Sequence, residues 1–177
     1  MVPAPRTRPG VHPLSSGPAP CDADRPYRQE QPVFALEERV DVARDPHDVF
    51  AFLTSPEHRP EWDRSVVSET LVSPAPVKVG STVRTRMRVM GRDVAFEWRV
   101  TELDPPHAMG ARSVSGTMPT TLRFAFEATD AGCRVIARIH AEPGGMLRMV
   151  EPVVAEAAPS TLAAGLARAR ILLETGP

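Results

Sequence analysis

The sequence predicts an α+β fold: one strand, two short helices, a run of about six antiparallel strands and a long C-terminal helix. Three observations carry that prediction. Between Thr82 and Leu103 apolar and charged residues alternate with period two over two successive segments. Two helix-start signals, Asp45-Pro46 and Ser55-Pro56, stand just ahead of the strand-like region. From Leu147 to Leu173 apolar residues recur at helical spacing: Leu147, Val150, Val154, Ala157, Leu162, Leu166, Ala169 and Leu173.

Composition narrows the classes of function. The chain has 177 residues, 42% of them hydrophobic, with a formal net charge of −1. That suits a single domain with a sizeable core. The balanced charge argues against nucleic acid as a main partner, since phosphate binding needs a basic excess. No apolar run approaches the about 20 residues that cross a bilayer. Cys21 and Cys133 lie far apart without metal-ligand spacing and read as idle thiols in a reducing cytoplasm. Seven of the first 31 residues are proline. Residues 1–31 are therefore expected to form a disordered Pro-rich tail, with residues 32–177 as the folded domain. No apolar core follows Arg6 and Arg8, so a secretory signal is not expected there. An extended proline-rich tail can dock in a partner's groove, but the sequence names no such partner.

Each element has its own signal. In "FALEERVDVA", Val40 and Val42 alternate with charged neighbours, which suits a half-buried strand. Asp45 then offers a capping oxygen and Pro46 a fixed φ for the first turn of a helix whose apolar face is Val49, Phe50, Phe52 and Leu53. Ser55-Pro56 opens a second short piece, which Arg59-Pro60 is expected to end, because the residue before proline avoids the α region. The chain is thereby delivered to Trp62. In the hairpin that follows, Val83, Thr85, Met87 and Val89 share one face while Arg84, Arg86 and Arg88 share the other. Val94, Phe96, Trp98 and Val100 alternate with Ala95, Glu97, Arg99 and Thr101. A type II′ turn at Gly91-Arg92 would pair Val89 with Val94, Met87 with Phe96 and Thr85 with Trp98, and set Arg86 opposite Glu97. Asp104-Pro105-Pro106 ends that strand and His107–Ser115 forms the next. After a turn marked by Gly116 and Pro119, Leu122, Phe124 and Phe126 alternate with polar neighbours. Asp130-Ala131-Gly132 is a turn. In Cys133–Ala141 the expected inward set is Val135, Ala137 and Ile139, with Arg134, Arg138 and His140 outward; a bulge at Gly132 would reverse that phase. Pro152 and Pro159 interrupt the terminal stripe, predicting a kink near Pro159 or two helices joined there.

Onto this order fall the phrases "DPHDVFAFLTSPEHRPEWD", "GRDVAFEWRVTELDPP" and "AEPGG". Together they resemble the SRPBCC or START-like superfamily, in particular its polyketide cyclase/dehydrase-type branch, over roughly residues 33–174. The motifs mark geometry and not chemistry. The resemblance implies a helix-grip fold, in which a curved sheet of about seven strands wraps the long helix and leaves an apolar cavity. It also implies that Trp62 helps close one end of that cavity.

On that reading the ligand-binding set is Thr85, Met87 and Val89 from one hairpin strand and Phe96, Trp98 and Val100 from the other. Met109, Ala111 and Ser113 come from the middle strand, whose small side chains leave room. Leu122 and Phe124 come from the next strand, Leu147, Val150 and Val154 from the long helix, and Trp62 from the end. The same stripes would also serve as a dry core. Catalysis needs a positioned acid, base or nucleophile. The sequence shows no Ser-His-Asp or Cys-His arrangement, metal-ligand cluster or phosphate-cradling loop, so it assigns no catalytic residue, metal or cofactor. His58 reads as a solvated loop residue and His107 as a cap at a strand start, while the sole tyrosine, Tyr27, falls in the tail. The expected function is non-covalent binding of a hydrophobic small molecule, lipid-like or polyketide-like. The alternative is a polyketide aromatase/cyclase or dehydratase-type enzyme using the same cavity. A charged side chain buried in the cavity would favour the enzyme.

Overall fold

The computed structural model describes residues 34–89, 91–115, 119–142 and 151–176, with the side chains of Phe34, Val89 and residues 151–158 set aside. The expected tail, Cys21, Leu147 and Val150 lie outside the described residues. Strand β1 (Phe34–Val42) leads into α1 (Pro46–Thr54) and α2 (Arg59–Trp62). Six strands follow: β2 (Val66–Leu71), β3 (Thr82–Val89), β4 (Arg92–Asp104), β5 (Ala108–Ser113), β6 (Thr120–Thr129) and β7 (Gly132–Ala141). Helix α3 spans Glu151–Thr175. The seven strands form one sheet in the order β1-β7-β6-β5-β4-β3-β2, with every neighbouring pair antiparallel.

That order explains the two short helices. Chain-adjacent strands pair throughout β2–β7, but β1 pairs with β7, so the segment after β1 must cross from one sheet edge to the other. Helices α1 and α2 make this crossing over the concave face, where α1 packs on β6 and β7 and α2 on β2 and α3. Val49, Phe50 and Leu53 of α1 join Trp62, Phe124, Phe126, Val135, Leu162, Leu166 and Ala169 in one buried cluster. Each such apolar side chain contributes about 1.5–3 kcal/mol on full burial.

The first helix begins as its sequence dictates: Asp45 Oδ1 accepts a hydrogen bond from the His47 amide at 2.8 Å, with Pro46 in the first turn. The second corrects the expectation that Arg59-Pro60 ends a helix. Pro60 instead lies in the first turn of α2, where its missing N–H would have had no helical partner. The extended conformation of Ser55 has already ended α1.

The β3–β4 register also differs from the expected one. Thr85 pairs with Phe96, Met87 with Val94 and Val89 with Arg92. Arg92 thus belongs to the β4 ladder and not to the turn, and Gly91, at φ +77°, directly precedes it. Moving the register by two residues preserves every side chain's face, because the pleat repeats in two. What changes is the ion pairing on the outer face. Glu97 meets Arg84 at 2.6 Å, and Asp93 meets both Arg86 and Arg88 at 3.1 Å.

In β7 the phase is the expected one: Val135 and Ala137 are fully buried. On the outer face Arg134 meets Asp41 at 2.8 Å and Arg138 meets Glu37 at 2.6 Å, while His140 is exposed. Gly132 opens β7 at φ +139°, and a Cβ there would stand 2.3 Å from the Val42 carbonyl oxygen, so only glycine fits. Helix α3 passes through Pro159 without dividing into two helices. Its C-terminal half buries Leu162, Leu166 and Ala169 against the core, which favours continuing the helix beyond the proline.

Candidate functional site

Two β-bulges set which residues face the concave side. In β2 the register shifts between Val66 and Ser68, so Val66, opposite Met87, and Glu69, opposite Thr85, turn to the same face although three positions apart. In β4 a shift between Val100 and Glu102 lets Val100 point inward while Glu102 points out to Arg123 at 2.7 Å. Each extra residue bends its strand and adds to the curvature of the sheet.

Under that curve lies a concavity. The helical segment contributes Leu53, Thr54, Pro56 and Arg59, and the loop after β2 contributes Val77. The sheet contributes Glu69, Val83, Thr85, Met87, Trp98, Val100, Met109, Ala111, Leu122 and Phe124. The space a water-sized sphere can occupy is about 50 Å³, within a concavity of about 620 Å³ counted with its open mouth. The enclosed part has room for a few waters at most. A larger occupant uses the mouth and displaces side chains there. Met87, Trp98 and Met109 are only half-buried, and methionine is the most adaptable apolar side chain.

One end of this apolar space is polar. Glu69 Oε2 accepts a hydrogen bond from Thr85 Oγ1 at 2.6 Å. Burial pushes the Glu69 carboxyl above its ordinary pKa; the positive charge of Arg59 and the Thr85 hydrogen bond partly oppose that rise, and Asp63 adds to it. Arg59 itself is well buried. Its guanidinium lies 4.2 Å from the centre of the Trp62 ring, and its Nη2 donates to Asp63 Oδ2 at 2.9 Å. The other Asp63 oxygen accepts from the Ser65 amide at 3.0 Å and hydroxyl at 2.6 Å.

Of the ligand-binding set expected from sequence, Thr85, Met87, Trp98, Val100, Met109, Ala111, Leu122 and Phe124 line the concavity together. Five residues of that set with described backbone stand elsewhere or have no described side chain. Trp62 is fully buried, edge-on to Phe124 at 6.3 Å, with Gly165 of α3 against its other side. It packs behind the lining and forms no part of it. Phe96 is half-buried beside Trp98, with ring centres 6.3 Å apart, further toward the hairpin tip. Ser113 Oγ accepts a hydrogen bond from the Thr120 amide at 2.9 Å and ties β5 to β6. Val89 belongs to β3 and Val154 to α3, with their side chains outside the description.

Glu69 and Arg59 are the residues that sequence reasoning missed. The β2 bulge moves Glu69 to the inner face, and period-two reading has no signal for it. Arg59, standing before Pro60, carries the sequence signal of a helix stop.

Among the described residues no histidine lines the concavity. His58 Nδ1 lies 2.7 Å from Glu61 Oε1, and its ring stacks on Phe52. His107 serves through its backbone, its amide donating to the Asp104 carbonyl and its carbonyl accepting from the Phe126 amide. Cys133 is fully buried in the core, and burial pushes its thiol up to about 11, so it is not a nucleophile at neutral pH. Among the described residues no group of three or more His, Cys, Asp or Glu is placed to hold a metal, and no helix is long and apolar enough to cross a membrane.

Solved structures share this architecture. The di-domain ARO/CYC StfQ from the steffimycin biosynthetic pathway matches with a TM-score of 0.66 at 15% identity, over 81% of this chain and 52% of that one. The chain thus spans about half the length of that di-domain protein. TTHA0849 from Thermus thermophilus matches with a TM-score of 0.66 at 17% identity, over 79% of this chain and 95% of that one. A START superfamily protein from Mycobacterium smegmatis matches with a TM-score of 0.65 at 15% identity, over 80% of this chain and 97% of that one. At these identities the likeness shows the fold, a helix-grip arrangement of curved sheet and terminal helix. No curated protein matches the chain in sequence. The family model described as polyketide cyclase / dehydrase and lipid transport matches residues 33–174, and the chain belongs to that family.

Proposed function

We propose that the chain binds a largely apolar small molecule, lipid-like or polyketide-like, in the concavity between the sheet and α1. The observation that carries this reading is the lining: ten of its fifteen residues, Leu53 through Phe124, are aliphatic, aromatic or methionine side chains converging from five elements and one loop on a space that they do not fill. Burying apolar ligand surface there gains about 25 cal/mol per Å², offset by the cost of association. Micromolar affinity is about 8 kcal/mol net, so with at least about 4 kcal/mol of association cost the contact must bury roughly 500 Å² or more of apolar surface. Membership of the family and the absence of a spanning helix among the described residues agree with this role. We further propose a cytoplasmic location, with which the free Cys133 is compatible.

The test is a fluorescence titration with a naphthalene-based ligand. Trp98→Ala, which removes the largest wall of the mouth, should weaken binding about tenfold or more. Arg86→Ala, on the outer face of the same hairpin, should leave it unchanged. Equal effects of the two substitutions contradict the assignment of this cavity.

A second reading is favoured by Glu69. A buried carboxyl with a raised pKa beside a cation is a candidate acid–base group, and its presence supports an aromatase/cyclase or dehydratase-type enzyme acting on a carbonyl-bearing polyketide. In its carboxylate form Glu69 would take a proton from the carbon next to a carbonyl and return it from the neutral acid. Exchange of solvent deuterium into the methyl group of a bound aryl methyl ketone, followed by NMR, would show that activity. Exchange no faster than in buffer, or exchange unaltered by Glu69→Gln, rules it out for this residue.

A further inference from the structure

The outer face of the sheet carries an unmatched pair of charges. The register sets Arg99 of β4 directly opposite Arg112 of β5, which places their Cβ atoms about 5 Å apart. Both point away from the concavity, because Val100 and Ala111, their neighbours in the two strands, line it. Both are exposed, and neither guanidinium has a hydrogen bond or an ion pair among the described residues. The surroundings set this pair apart. Every arginine of the flanking strands β3 and β6 holds a carboxylate: Arg84 has Glu97, Arg86 and Arg88 share Asp93, and Arg123 has Glu102. Glu97 and Glu102 are the acids on either side of Arg99 along β4, and each is engaged by an arginine of another strand. Like charges set directly opposite each other weaken a ladder.

We propose that Arg99 and Arg112 together bind the phosphate group of a soluble small molecule. Each guanidinium presents a planar fork of donors. A phosphate monoester offers three oxygens and a charge of about −1.5 to −2 at neutral pH, so it engages both forks and matches both charges. A carboxylate offers two oxygens and a single charge, and leaves one arginine unmatched. Thr82 lies opposite Arg99 in β3 and Thr121 opposite Arg112 in β6, so a hydroxyl stands at each end of the pair on the same face. A lipid headgroup is the poorer source of the phosphate. Asp93, Glu97 and Glu102 share this face and would be pressed against the negative surface of a bilayer. The site lies behind the wall of the concavity and does not depend on what the concavity holds.

Carbon-detected NMR of the arginine Cζ signals, at pH 7 and constant low ionic strength, tests this with phenyl phosphate, benzoate and vesicles containing phosphatidic acid. Phenyl phosphate should shift the Arg99 and Arg112 signals together and bind about fivefold tighter than benzoate. Arg99→Gln or Arg112→Gln should each weaken that binding about fivefold or more. Arg134→Gln, which breaks an ion pair elsewhere on the same face, should leave it unchanged. Without ligand neither substitution in the pair should lower the melting temperature, because each relieves a repulsion. Equal binding of phenyl phosphate and benzoate overturns the proposal, as does a melting temperature lowered by both substitutions. A shift shared by all exposed arginines also overturns it, since that marks general counter-ion screening. Binding to vesicles without binding to phenyl phosphate overturns it in favour of a membrane surface.

Discussion

The two tryptophans of this chain do opposite things. Trp62 is fully buried, with Phe124 edge-on to it, Gly165 against its benzo edge and Arg59 over its ring face. Trp98 is half-buried and looks onto unfilled space. The difference arises from what faces each ring. Trp62 meets α3, where a glycine allows the helix to approach closely and Leu162 and Leu166 complete the packing. Trp98 sits opposite Ser113 in the β4–β5 ladder, among Ala111, Met109 and Val100, and these side chains do not reach across the curved sheet. The same residue type thus closes the core at one end and lines a hollow at the other.

The comparison breaks most visibly at the closed end. Trp62→Ala should destabilise the fold by about 3–5 kcal/mol, because it removes a large side chain from a site where helix and sheet are locked together. Trp98→Ala should cost about 1 kcal/mol or less in the same denaturant titration, since its surroundings are already unfilled. Equal losses would mean that the two ends are packed alike.

Glu69 sharpens the picture through pH. Its folded-state pKa is raised above the ordinary carboxyl value by burial, so the native state holds this proton more tightly than the unfolded chain. Between the unfolded value and the higher folded one, the native state binds more protons, and stability falls as pH rises through that window. Glu69→Gln should flatten the fall in stability seen from about pH 4.5 upward; an unchanged slope would show that this carboxyl is solvated. The smallest effect belongs to the outer face. Arg123→Gln removes an exposed ion pair with Glu102 and should shift stability by about 1 kcal/mol at most.

Much of the fold was legible because the pleat and the helix impose different periods on one sequence. Alternation in Thr82–Leu103 assigns faces correctly even though the register it suggests is off by two, since a two-residue slip leaves every face unchanged. For the same reason periodicity alone could not choose the ion pairs. Residues of the concavity drawn from β3, β4, β5 and β6 follow from alternation of this kind. Glu69 does not, because an extra residue in β2 inverts the phase, and no side chain announces a bulge. Arg59-Pro60 carries two contrary meanings, helix stop and helix start, and the extended backbone at Ser55 decides between them. Which tryptophan faces the hollow depends on α3 crossing at Gly165, a contact between residues about a hundred positions apart in the chain.

Methyl-resolved NMR during titration with an apolar naphthalene ligand tests the central claim most directly. Filling the hollow should shift the methyl signals of Met87, Met109 and Leu122, which line it, while Leu166, packed in the closed core, stays in place. Shifts confined to surface methyls, or Met87 and Met109 unmoved at saturating ligand, would contradict a ligand site between the sheet and α1.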